Sequence, residues 1–240
     1  MSPATVALVA TPLLVLLAYI PGGLWLLPLL APLTLYPTFQ ARVKSGDVRG
    51  AWLAGMGWAI LLSAGVIILT QLAPETAARA IWNGEPYRKE MFGWIMTGIA
   101  PENSPRQFLP IHLLHLSLFA LLTYVSAGYL GLVLGAALTG YMSYFVGSYA
   151  AASHHPLLGS LVAWVPWSVI RVAAFVLLGA LLARPLLLRR RWPFERKEGR
   201  LFALVGTGIV ADLLLKTLAA PAYGRALRSF AGGVLGLAGY

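Results

Sequence analysis

Long apolar runs separated by short polar ones dominate the chain. Residues 1–41 carry no Asp, Glu, Lys or Arg, residues 50–74 carry none, and residues 107–183 carry Arg171 alone. A hydrocarbon layer about 30 Å thick takes about 20 apolar residues per crossing helix. The runs therefore predict spans at about 5–20, 24–38, 51–73, 108–125, 129–151, 157–183 and 201–219. The fold class is all-α: a polytopic transmembrane helical bundle of six to seven spans, forming a single integral membrane domain over 1–240. The count stays open at 24–36, where Pro28, Pro32 and Pro37 allow either a short tilted helix or a broken re-entrant one. Pro166, between Trp164 and Trp167, predicts a kink within 157–183. Segment 77–98, with Trp82, Tyr87, Phe92 and Trp94 among its charges, predicts an interfacial amphipathic helix on the extracytoplasmic side. The Gly-rich stretch 221–240 is too short for a firm further crossing.

Composition removes the alternatives. The chain of 240 residues is 59% apolar and 11% charged. A soluble domain carries about 25% charged residues, so a soluble globular fold has too little polar sequence to cover its surface. With no cysteine, disulfides, thiolate metal sites and cysteine nucleophiles are excluded. The net charge of +10 comes from basic residues placed beside apolar runs. Lipid headgroups and membrane topology account for them, and nucleic acid is not an expected partner.

Orientation follows from the same residues. Loop 42–49 holds three basic residues and one acid, and loop 184–200 holds seven and two. The positive-inside rule puts both in the cytoplasm and leaves 75–106 and 153–156 outside. The expected location is the cytoplasmic membrane of a bacterium or archaeon. The first apolar segment lacks the basic start of a cleaved signal and is read as a retained span.

Three ionisable residues fall inside predicted spans: Arg171, Asp212 and Lys216. A charge at mid-bilayer costs about 2.5–3.5 kcal/mol on insertion scales, so each needs a partner. Arg171 lies 13 residues before Arg184 and Asp212 lies 12 after Arg200. At 1.5 Å per residue both sit about 18–20 Å from the basic end of neighbouring antiparallel helices. An Arg171–Asp212 pair is expected, with Lys216 one turn on, competing for the carboxylate or snorkelling outward. The pair either locks two helices or lines a polar path.

The four histidines form a second candidate. His112 and His115 share a helix face, and His154-His155 lie in the turn after the next span. The topology puts all four at the outer end with Glu85, Glu90 and Glu102. Together they are candidate ligands for a divalent metal, or for a haem held by one histidine from each pair. No H-E-x-x-H spacing is present. Phe108-x-x-x-His112 resembles one box of the prenyl-protein-processing intramembrane proteases. Their paired-glutamate box is missing, since Glu85 and Glu90 stand apart in a polar segment, so no catalytic role carries over.

The leading functional expectation is a transporter or permease component for a small solute or ion, using Arg171, Asp212 and Lys216. The alternatives are a membrane-embedded metal-dependent hydrolase or protease, a haem redox protein using the histidines, and a non-catalytic subunit of a larger complex. The last would associate, with itself or another membrane subunit, through Gly-rich faces such as Gly131-x-x-x-Gly135 and Gly232-x-x-x-Gly236. Packing within the chain is the preferred reading of those faces.

Overall fold

The computed structural model describes residues 3–20, 23–99, 101–189 and 196–231. All regular structure among them is helical. The N-terminal part is α1 (Pro3–Val9), a 3-10 helix (Thr11–Tyr19), α2 (Gly23–Leu30) and α3 (Pro32–Lys44). Then follow α4 (Val48–Leu72), α5 (Pro74–Ala80), α6 (Gly84–Thr97) and a 3-10 turn (Pro101–Asn103). The second half holds α7 (Pro105–Val125), α8 (Tyr129–Ala151), α9 (Pro156–Ala163), α10 (Pro166–Leu182), α11 (Arg184–Leu187) and α12 (Arg196–Phe230).

Among the described residues, five helices are long and apolar enough to cross a membrane: Val48–Leu72, Pro105–Val125, Tyr129–Ala151, Pro166–Leu187 and Glu198–Phe230. The expected segments 5–20 and 24–38 are instead built from shorter pieces. The first passes from α-helix to 3-10 helix where Pro12 follows its N-cap, and the second breaks at Ala31–Pro32. The indole N–H of Trp58 on α4 donates to the Ala31 carbonyl (3.2 Å), and the Thr11 and Thr34 hydroxyls bond to each other (2.9 Å). The first contact ties the α2–α3 break to α4, and the second ties the 3-10 helix to α3.

Helix α8 is the centre of the bundle, and most of its residues are buried. A helix enclosed by protein needs small residues where neighbours approach. At Gly147 a Cβ would stand 2.8 Å from Thr70 Cβ and 3.0 Å from the Ile67 carbonyl oxygen of α4. Ser143 on α8 donates to Ser63 on α4 (2.9 Å), a buried polar tie between the same two helices. Gly232-x-x-x-Gly236 lies outside the described residues, and the other G-x-x-x-G pair divides: Gly131 lies tight against Thr123 of α7, whereas Gly135 has open space beside it. Between α7 and α8 the chain turns at Ala127 and Gly128, both at positive φ (53° and 99°). A Cβ at Gly128 would meet the Phe39 ring at 2.9 Å, so glycine satisfies both the turn and the packing.

Three expected elements differ in detail. The 157–183 span is interrupted at Trp164–Val165, where Val165 is extended (ψ 133°) before Pro166. That is the conformation a residue preceding proline prefers, and it turns a kink into a full break. Segment 77–98 is two helices, separated at Asn83 in the left-handed region. The apolar face of α6 is covered by protein: Met91, Phe92, Trp94 and Ile95 are buried with Phe145, Tyr149, Trp167 and Leu227. Helix α12 runs 35 residues, about 52 Å, straight through Pro221. Tertiary bonds hold its far half: the Tyr149 hydroxyl donates to the Leu227 carbonyl (2.7 Å), and Arg228 Nε donates to the Ile95 carbonyl (2.7 Å).

Candidate functional site

Where α10 and α12 pack together, Arg171 and Asp212 meet. Arg171 Nε donates to Asp212 Oδ2 at 2.9 Å and a terminal guanidinium N–H donates to Oδ1 at 3.1 Å. This is the two-pronged fork that a planar guanidinium makes with a carboxylate. Asp212 is 1% exposed. The depth match read from the sequence thus corresponds to a direct contact.

Lys216 does not take the Asp212 carboxylate. Its Nζ stands 2.9 Å from Glu102 Oε2, and both residues are buried. Glu102 was grouped by sequence with the outer-loop metal candidates. It reaches the bundle because the 3-10 turn Pro101–Asn103 folds inward ahead of α7. Asn103 pins that turn by accepting from the Trp94 indole (3.0 Å) and donating to the Gly98 carbonyl (2.6 Å). The Lys216 ammonium also lies 4.5 Å from the centre of the Phe108 ring, on α7. The set is therefore two cations and two carboxylates, each paired, with Arg171 half-buried and the other three buried.

His112 completes the group from α7. Its Nδ1–H donates to the Phe108 carbonyl at 2.9 Å, so that whenever the ring is neutral Nε2 is its acceptor atom. Nε2 is buried with no hydrogen-bond partner and lies 3.7 Å from Asp212 Oδ2. Two acceptor atoms thus face each other across a short gap. His115, one turn on, borders a cavity of about 60 Å³ that Arg171, Tyr141, Thr139 and Ser168 also line. That space has room for a few waters.

The remaining candidates stay apart from the cluster. His154 and His155 are exposed in the turn between α8 and α9. Among the described residues no three His, Asp or Glu side chains are grouped as a metal site. Glu90 is exposed on α6. Glu85 is bonded by Arg88 (2.9 and 2.5 Å) and by the Tyr144 hydroxyl (2.9 Å). The Arg88 bond holds its carboxyl below the ordinary carboxylate value, against a smaller opposing effect of burial. Tyr87, also on α6, has its phenol pushed well above the ordinary value, first by burial and then by the charge of Glu102. It remains a neutral hydroxyl beside the cluster.

Sequence reasoning missed the Glu102–Lys216 pair and the approach of His112 to Asp212. The available signal for the first was Lys216 itself, a charge needing a carboxylate beyond the one Arg171 had claimed. Comparison with protein-family models, with curated proteins and with solved structures finds no match to this chain. What it does is therefore argued from the site alone.

Proposed function

We propose that the chain is a membrane transport component for a small ion or solute, driven or gated by proton binding at the Arg171–Asp212–His112 cluster. The observation that carries this reading is the unpartnered His112 Nε2 facing Asp212 at 3.7 Å among buried, paired charges. A purely structural network has no use for an orphaned acceptor next to a carboxylate, which costs desolvation free energy without return. A proton between the two atoms removes the conflict. Buried ionisable residues of transporters commonly form such relays.

In mechanism, a proton arriving at His112 Nε2 or Asp212 Oδ2 weakens the hold of Asp212 on Arg171. The groups able to answer the change are Arg171 from α10, Lys216 on α12, Glu102 from the 3-10 turn, Tyr87 on α6, and Tyr141 on α8. Arg171 then turns toward the small cavity that His115, Thr139, Tyr141 and Ser168 help to line, and α10 shifts against α12. Alternating between the two pairings provides the two states that coupled transport requires.

The test uses purified protein in liposomes loaded with a pH-sensitive dye, exposed to a panel of small ions and solutes. At least one compound is expected to move protons across the membrane. Asp212→Asn should abolish that movement, and His112→Ala should slow it at least tenfold. If no compound moves protons, or if Asp212→Asn moves them as well as the unaltered protein, the reading fails.

A further inference from the structure

A second feature lies at the opposite end of α10, beside the turn 42–49 and Arg184. Helices α4 and α12 both pack on α10 there and leave a groove between them. Trp52 of α4, Ala173 and Leu177 of α10, and Leu204 and Gly208 of α12 make its walls and floor. Its volume is about 740 Å³. Polar groups are confined to one end, where Asp47, Arg49, Arg184 and Glu198 line the mouth.

The charges at that mouth are unevenly matched. Asp47 is used twice, accepting from the Gly50 amide (2.8 Å) as the cap of α4 and from Arg42 (2.8 Å). Glu198 is paired with one terminal nitrogen of Arg184. Arg184 Nε is buried and has no acceptor among the described residues. Arg49 is exposed beside it. The mouth thus offers an orphaned guanidinium N–H and a solvent-facing guanidinium, above a deep apolar trough.

We propose that this groove binds one anionic phospholipid, with an acyl chain along α10 between α4 and α12 and its phosphate at Arg184 and Arg49. A phosphate supplies the acceptor that Arg184 Nε lacks, and its charge complements Arg49, the lining cation with no ion pair among the described residues. A soluble phosphate would satisfy the arginines and leave the trough empty. The apolar walls therefore select a lipid. The site is separate from the charge cluster and does not depend on the transport reading.

Native mass spectrometry of the full-length protein tests the proposal, with phosphatidylglycerol and phosphatidylcholine of identical acyl chains offered together. One phosphatidylglycerol should be retained in preference to phosphatidylcholine. Arg49→Gln, at an exposed position, should lower that preference about five-fold, the ratio expected for one basic residue at a lipid surface. Leu204→Trp, which fills the trough from an exposed position, should displace both lipids. Glycerol phosphate, which carries the anion without the tail, should not compete. Equal retention of the two lipids overturns the proposal. So does a preference that survives Leu204→Trp, which would place the lipid elsewhere on the basic surface. Competition by glycerol phosphate would show a soluble-anion site, and no retained lipid in any sample would show that the groove takes none. Either result also overturns it.

Discussion

Replacing Asp212 with leucine should destabilise the protein by about 3–5 kcal/mol, because Arg171 is left as an uncompensated charge inside the bundle. The fork at 2.9 and 3.1 Å is the close partner of that guanidinium, and Asp212 is almost wholly enclosed. Thermal unfolding in lipid nanodiscs, followed by circular dichroism, reads the loss. The partner variant separates cost from purpose. Arg171→Met combined with Asp212→Leu removes both charges and should regain most or all of the stability, since well-packed apolar pairs often equal a buried ion pair. The two changes should therefore be strongly non-additive. The double variant should be stable and inactive in the liposome assay. If it were stable and active, the pair would serve only to join α10 to α12.

The second large effect is expected at the α4–α8 contact. Gly147→Ala places a methyl 2.8 Å from Thr70 Cβ and 3.0 Å from a backbone oxygen of α4. Backbone cannot rotate aside as a side chain can, so the helices must separate and strain the Ser143–Ser63 bond. Overpacking of this kind costs about 1–3 kcal/mol. Gly135→Ala on the same helix is the control. Nothing lies within 4 Å of its Cβ, and removing a glycine from a helix interior gains up to about 1 kcal/mol. The same chemical change should thus lower the unfolding temperature at 147 and leave it level or higher at 135. Equal effects at both positions would mean that α4 and α8 do not meet at Gly147.

How far the sequence foretold these features depended on whether a residue sat in a regular helix. Arg171 and Asp212 could be paired by counting because both lie on uninterrupted helical stretches whose basic ends are marked by Arg184 and Arg200. An irregularity at Pro166 was legible for a similarly local reason, although as a kink and not as the break that divides α9 from α10. Glu102 was not, because its depth depends on a short turn held by Asn103 and Trp94, and no periodicity reports how a loop folds inward. His112 and His115 were expected to meet His154 and His155 as fellow residents of one end. The position of His112 on α7 instead directs it to Asp212, while the other pair sits exposed beyond α8. The persistence of α12 past Pro221 was illegible too, since Tyr149 and Arg228 sustain it through partners distant in sequence. The 3-10 geometry of Thr11–Tyr19 likewise answers to packing on α4 more than to its own residues.

Proton-coupled transport through this cluster requires Asp212 to take up a proton inside the bundle. Infrared difference spectra of the protein in nanodiscs, recorded between high and low pH, address that atom directly. A protonated-carboxyl stretching band should grow as the pH is lowered and be missing from Asp212→Asn, with the bands of the other carboxylates unchanged. Identical difference spectra for the two proteins, over the whole pH range in which both stay folded, would show that Asp212 never carries a proton. The cluster would then be a fixed joint between α10 and α12.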